Sequence, residues 1–71
     1  MTTYELVTDH AVYHTVTGIP LGPSFKMRDW CRELFGESID LRFGGRWESP
    51  IYSVMRFKND EDRTLFLLRW G

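Results

Sequence analysis

The chain has a single cysteine among 71 residues, which excludes an intramolecular disulfide. With only two histidines, no Cys/His cluster has the spacing of a structural zinc site. It also lacks a charge of one sign: the formal net charge is −1, which argues against a general nucleic-acid binder, since phosphate recognition needs a basic footprint. No apolar run approaches the roughly 20 residues of a membrane span. No basic N-terminal region leads into an apolar core, so no signal peptide is expected. A soluble chain located in the cytoplasm is therefore expected. There are no repeats, low-complexity tracts or charge blocks. Gly18-x-x-x-Gly22 lacks the Gly-Lys-Ser/Thr end of a phosphate loop, and no helix is expected after Gly44-Gly45.

What is present is one domain's worth of sequence. A chain this short buries only about 60% of its unfolded surface and needs a supplement to its core. Aromatic residues, 15% of the composition, supply part of it, because a large ring buries much area for few ordered torsions. Self-association as a homodimer is the other route.

The clearest element is Pro23–Gly36, P-S-F-K-M-R-D-W-C-R-E-L-F-G. Ser24 is an N-cap residue type, and Gly36 stands where a left-handed residue would end the helix. At 100° per residue, Met27, Trp30, Cys31, Leu34 and Phe35 fall within an arc of about 140°. The spacing predicts an amphipathic helix over residues 24–35 laid against a sheet.

Residues 2–17 are rich in Thr, Val and Tyr, which fit a pleated surface. They predict strands at 3–7 and 11–16 joined near Asp9, with one longer, bent strand as the alternative. Val12, His14 and Val16 would share a face. Gly18–Pro23 reads as a loop over Ile19 and Leu21. Residues 39–43 alternate as a short strand, Gly44-Gly45 can turn, and Arg46–Pro50 is a turn or strand edge. Residues 51–57 predict a central strand, with Pro50 at its start. For residues 58–70 two readings stand: a hairpin tip and final strand, or a helix capped by Asn59. The acids Asp60, Glu61 and Asp62 favour the helix, since they would lie in its positively polarised first turn. The predicted core is Leu6, Val12, Met27, Trp30, Cys31, Leu34, Phe35, Leu41, Val54, Phe57, Leu65 and Leu68.

The ending F-K-N-D-E-D-R-T-L-F-L-L-R-W-G resembles the tail of certain small tailed-phage accessory proteins. The residues that carry the resemblance are Phe57, Asp62, Phe66, Leu68, Trp70 and Gly71. Arg63 departs from it, because a small residue often follows the last acid in that pattern. The resemblance implies a phage-encoded accessory protein, hence a host-cytoplasmic location, and implies no activity.

Side chains with chemical potential each have a plainer account. His10 and His14 would share a face on a helix, but on a strand they stand about 13 Å apart at 3.3 Å per residue, too far for one metal ion. Cys31 sits inside the apolar arc, where a buried, unactivated thiol is expected. Asp29 and Glu33 lie on the solvent face of the helix. Asp60–Asp62 lack the alternating oxygen ligands and glycine of a calcium loop. No catalytic residue, metal site or cofactor is assigned.

One segment reads as a recognition surface: Leu41-Arg42-Phe43-Gly44-Gly45-Arg46-Trp47. Arginines interleaved with aromatics can stack on bases and contact phosphates, and Arg and Trp also dominate protein-interface hot spots. The bland alternative is a hairpin with Phe43 and Trp47 packed inward and the arginines paired with acids. The candidate binding residues are Arg28, Arg32, Arg42, Phe43, Arg46 and Trp47. The expected architecture is a small α+β domain, an antiparallel sheet on one amphipathic helix with a C-terminal helix or fifth strand. The expected function is a non-enzymatic binding module engaging a protein partner or a second copy of itself. The alternative is a small nucleic-acid-binding regulator.

Overall fold

A computed structural model describes residues 1–9 and 11–71. The chain is α+β, with an antiparallel sheet of strands β1 (Thr2–Val7), β2 (Val12–Thr17), β3 (Trp47–Ile51) and β4 (Val54–Phe57) in the spatial order β1-β2-β4-β3. Helices α1 (Leu21–Phe35) and α2 (Asp60–Trp70) complete it. The N-terminal hairpin forms as the β-branched pattern predicts, closed by the Thr8 N–H donating to the Ala11 carbonyl at 2.9 Å. His10, one of the two histidines weighed as metal ligands, lies outside the described residues.

Cross-strand register divides the sheet into two faces, since residues directly opposite point the same way. Glu5, His14, Phe57 and Trp47 align on one, as do Thr3, Val16 and Met55. This face carries both helices. The Phe57 ring meets Phe35 of α1 and Phe66 of α2 at centroid distances of 6.0 and 5.4 Å. Val16, Ile19, Met27, Cys31, Phe35, Trp47, Met55, Phe57 and Phe66 form the buried cluster, with Trp30, Leu67 and Trp70 packed on it. The opposite face carries Tyr4, Leu6, Tyr13, Thr15, Arg56 and Glu48.

Helix α1 begins three residues before the expected start. Pro20 stands at its N-cap with extended backbone angles, and Pro23 is accommodated because first-turn N–H groups need no intrahelical acceptor. Ser24 is thus no cap. It is fully buried, and its hydroxyl donates to the Tyr52 carbonyl at 2.7 Å, tying α1 to the β3–β4 turn. The end is as expected, at Gly36 with a φ of 86°.

The predicted strand at 39–43 is instead a 3-10 turn, Leu41–Phe43. The Asp40 carboxylate accepts from the Arg42 backbone N–H at 2.9 Å, the local side-chain bond by which Asp competes with extended structure. Gly44 closes the turn at a φ of 89°. The expected continuous strand 51–57 is broken by a turn at Tyr52 and Ser53. Only Val54–Phe57 is central, while Pro50 lies inside the edge strand β3, where the register shifts between Glu48 and Ile51 and no N–H is required. The C-terminal segment is helix, with all three acids in its first turn.

Six expected core residues are not core. Val12, Leu34, Leu65 and Leu68 are exposed, Leu68 by 79%, and Leu6 and Val54 are half-buried. In α2 the buried stripe runs through Asp62 and Phe66, so Leu65 and Leu68 face away. The expected loop Gly18–Pro23 ends at Pro20, since Leu21–Pro23 belong to α1; Ile19 is buried as expected, its N–H donating to the Ser53 carbonyl at 3.2 Å, whereas Leu21 is exposed.

Candidate functional site

The six candidate residues separate into three groups. Trp47 is 1% exposed, and its indole N–H donates to the Gly36 carbonyl at 2.8 Å. It is the largest fully buried side chain and fastens the end of α1 to the edge strand, so it presents no stacking surface. Arg46 belongs with it. Its Nε and Nη2 donate to the two carboxylate oxygens of Asp62 at 2.8 and 3.0 Å, and its guanidinium lies 4.8 Å from the Phe35 ring centroid. The Asp62 side chain is 3% exposed, and the hydrogen bonds it accepts, aided by its charge, hold the Arg46 pKa above its ordinary value. A fork donating to both oxygens suits a buried carboxylate. This pair locks α2 to the strand start.

Arg28 and Arg32 do not extend a shared patch. The Arg28 Nη2 donates to the Ser49 hydroxyl at 2.9 Å on β3. Arg32 pairs with Asp29 at 2.9 Å and with Glu37 at 3.3 Å.

Arg42 and Phe43 remain, side by side on the 3-10 turn. Phe43 is 78% exposed, with the Arg42 guanidinium 5.7 Å from its ring centroid. Asp40 holds the arrangement: it caps the turn, and its carboxylate accepts from Arg42 Nε at 3.2 Å and Nη2 at 2.9 Å. The hydrogen bond from Arg42 lowers the Asp40 pKa, and the Asp40 carboxylate correspondingly raises that of Arg42, with smaller contributions from Tyr13 and Glu48. Gly45 sets the close approach behind the turn, because a Cβ there would stand 1.8 Å from the Ile39 carbonyl oxygen. The exposed ring is thus mounted on a rigid support.

Beside this turn is a cleft of about 480 Å³ lined by Thr8, Ala11, Tyr13, Leu41, Arg42 and Lys58. Three separate segments build it: the tip of the β1–β2 hairpin, the 3-10 turn and the residue following β4. The N–H of Lys58 donates to the Arg46 carbonyl at 3.1 Å, which fixes that last wall. The expected recognition segment included Leu41 and Arg42 but not Thr8, Ala11, Tyr13 or Lys58. The alternation of β2 was the available signal: placing Val12, His14 and Val16 on one face puts Ala11 and Tyr13 on the other. The long-range closure by the 39–45 segment leaves no local mark.

Elsewhere, Glu5, His14 and Asp60 bring potential ligand atoms within 4.8 Å of one another. The Arg63 guanidinium already donates to both carboxylates, supplying the cation this cluster calls for. The bond from Arg63 holds the Glu5 carboxyl below its ordinary pKa. Burial, with the nearby Asp62 charge, pushes the Cys31 thiol up to about 12. No helix among the described residues is long and apolar enough to cross a membrane.

No protein-family model matches the chain, and neither a curated protein nor a solved structure shows significant similarity to it.

Proposed function

We propose that this chain is a non-enzymatic binding module that engages a protein partner through the Arg42–Phe43 turn and the adjoining cleft. One observation carries the reading: a large ring, 78% exposed, held beside a guanidinium by a carboxylate that caps the turn beneath both. An apolar side chain projecting into water from a rigid support is pre-organised to bury itself in a partner, with little ordering cost on association. The inert Cys31 thiol supports the non-enzymatic part. The resemblance of residues 57–71 to phage accessory proteins supports a phage-encoded chain acting in the host cytoplasm, where its partner is a host or phage protein or a second copy of itself.

The test is site-specific photocrosslinking in cells that produce the chain. A benzophenone amino acid replaces Phe43 in one variant and the equally exposed Leu68 in a control. One discrete crosslinked protein from position 43 and none from position 68 is the expected result. Equal, diffuse crosslinking from both positions overturns the reading.

A second reading, a nucleic-acid-binding regulator, draws on the same pair, because an exposed ring beside an arginine can stack on an unpaired base. It has lost the buried Trp47 as a platform, and Arg46 is committed to Asp62. Affinity for a single-stranded oligonucleotide that falls steeply as salt is raised would favour it over the protein partner.

A further inference from the structure

Resting on that reading, we propose that the cleft beside Phe43 receives a carboxylate attached to an apolar group, so that the partner segment inserts an apolar side chain flanked by an acid. The cleft has the requirements of both halves. Ala11, Leu41 and the Tyr13 ring supply apolar wall, and the volume of about 480 Å³ lies in the ordinary range of ligand sites. Arg42 and Lys58 bring positive charge from two different elements. Arg42 spends Nε and Nη2 on Asp40, which leaves both N–H groups of Nη1 without a partner among the described residues. Lys58 forms no ion pair among the described residues either.

Asp40 balances the charge of Arg42 but leaves its Nη1 donors open, and Glu48 pairs with Arg56 at 3.6 Å, so the Lys58 ammonium is the unbalanced charge of the cleft. Asp40 also fixes the remaining donor edge of Arg42 in place.

Alternative occupants fit less well. A metal cation would be repelled by Lys58 and would find no carboxylate, imidazole or thiol in the lining. An inorganic anion would leave the apolar wall and most of the volume unfilled. A neutral apolar group would fill the cleft but leave Lys58 unpaired and the Arg42 Nη1 donors unused, forgoing the charge-assisted hydrogen bonds that a carboxylate would make. The combination selects an amphiphilic acid.

The experiment is a 1H–15N NMR titration of the intact chain with N-acetylphenylalanine, and in parallel with its neutral amide, N-acetylphenylalaninamide. The free acid is expected to shift the amides of Thr8, Ala11, Tyr13, Leu41, Arg42 and Lys58, and the neutral amide to bind about tenfold more weakly. Lys58→Gln, an exposed change whose folding the same spectra verify, is expected to lose most of that preference. Equal binding of acid and amide, no shifts at these residues, or shifts produced only by a short oligothymidylate each overturn the inference. Its failure is distinct from failure of the docking reading. Position 43 can still crosslink a discrete protein when the cleft ignores carboxylates, and an unrecognised carboxylate leaves the Phe43 contact intact.

Discussion

Deleting the Arg46 guanidinium measures how far that residue belongs to the fold rather than to a binding surface. Arg46→Met keeps an aliphatic stem near Phe35 and removes the fork from Asp62. The carboxylate, 3% exposed beneath that fork, keeps the Asn59 side-chain amide at 3.4 Å as its only remaining side-chain partner among the described residues. Breaking a fully buried pair from one side costs about 3–5 kcal/mol, because the orphaned charge stays desolvated. Arg46 itself is half exposed, so water already screens part of the interaction, and about 2–3 kcal/mol is the expected loss. Lost contact between the guanidinium and the Phe35 ring adds about 0.5–1 kcal/mol. At roughly 0.05–0.15 kcal/mol per residue, the whole domain holds only about 4–11 kcal/mol, so the loss is a large fraction of it. Equilibrium urea unfolding at neutral pH reads the loss as a fall in midpoint at unchanged slope. The double variant Arg46→Met/Asp62→Leu removes the stranded charge and should recover most of the loss. A single-variant loss below about 1 kcal/mol, or a double variant worse than the two single losses combined, would refute the reasoning.

Three further outcomes follow from the same geometry. Gly45→Ala forces a Cβ against the Ile39 carbonyl oxygen at 1.8 Å, and is expected to lower stability by about 2–3 kcal/mol and displace the 3-10 turn, both visible by unfolding and by amide shifts at Leu41–Gly44. Cys31, buried and with its thiol pushed up to about 12, should be silent to a thiol reagent at mildly alkaline pH in the native chain and react fully in urea. Native reactivity at the unfolded rate would contradict its burial. Arg63 holds the Glu5 carboxyl below its ordinary value of 4.5, so the stability it contributes is complete above that value and is lost as pH falls through the lower folded one. The gap in melting temperature between wild type and Glu5→Gln should therefore shrink as the pH falls from about 5 towards 3. A gap independent of pH would contradict the pairing.

The parts of the fold legible in the sequence are those set by local patterning. The arc of Met27, Cys31 and Phe35, the glycine after it, the β-branched hairpin and the acids at 60–62 each act within one turn or one strand, and each element formed. Two expectations failed, one to a tertiary bond and one to a local side-chain bond that competes with extended backbone. Ser24 has the chemistry of a cap, yet its hydroxyl reaches across to Tyr52, and the helix starts at Leu21 instead, with Pro20 at its N-cap. Residues 39–43 alternate like a strand, but Asp40 turns its own backbone by accepting from Arg42. Two of the errors in the core, Leu65 and Leu68, have one physical source: a short apolar run such as Leu65-Phe66-Leu67-Leu68 does not reveal which side chain faces in. The buried Asp62, one turn before Phe66, sets the phase.

The candidate site was half legible for the same reason. Composition singled out the Arg/aromatic segment 41–47, where Phe43 and Trp47 look equivalent. Only the packing of α1's end on β3 turns Trp47 inward, and only the capped turn leaves Phe43 outside. The cleft needs Tyr13 and Lys58 from distant segments, and no local spacing connects them to Arg42.

The central claim is that recognition rests on Phe43 and its turn while Arg46 and Trp47 hold the architecture. Phe43→Ser in the chain, measured by urea unfolding and by binding to the protein crosslinked at position 43, tests this most directly. The expected result is a stability change within about 0.5 kcal/mol together with at least a tenfold loss of affinity, roughly what burying an exposed aromatic anchor contributes. A variant equally stable that binds its partner as tightly as the parent would contradict the account.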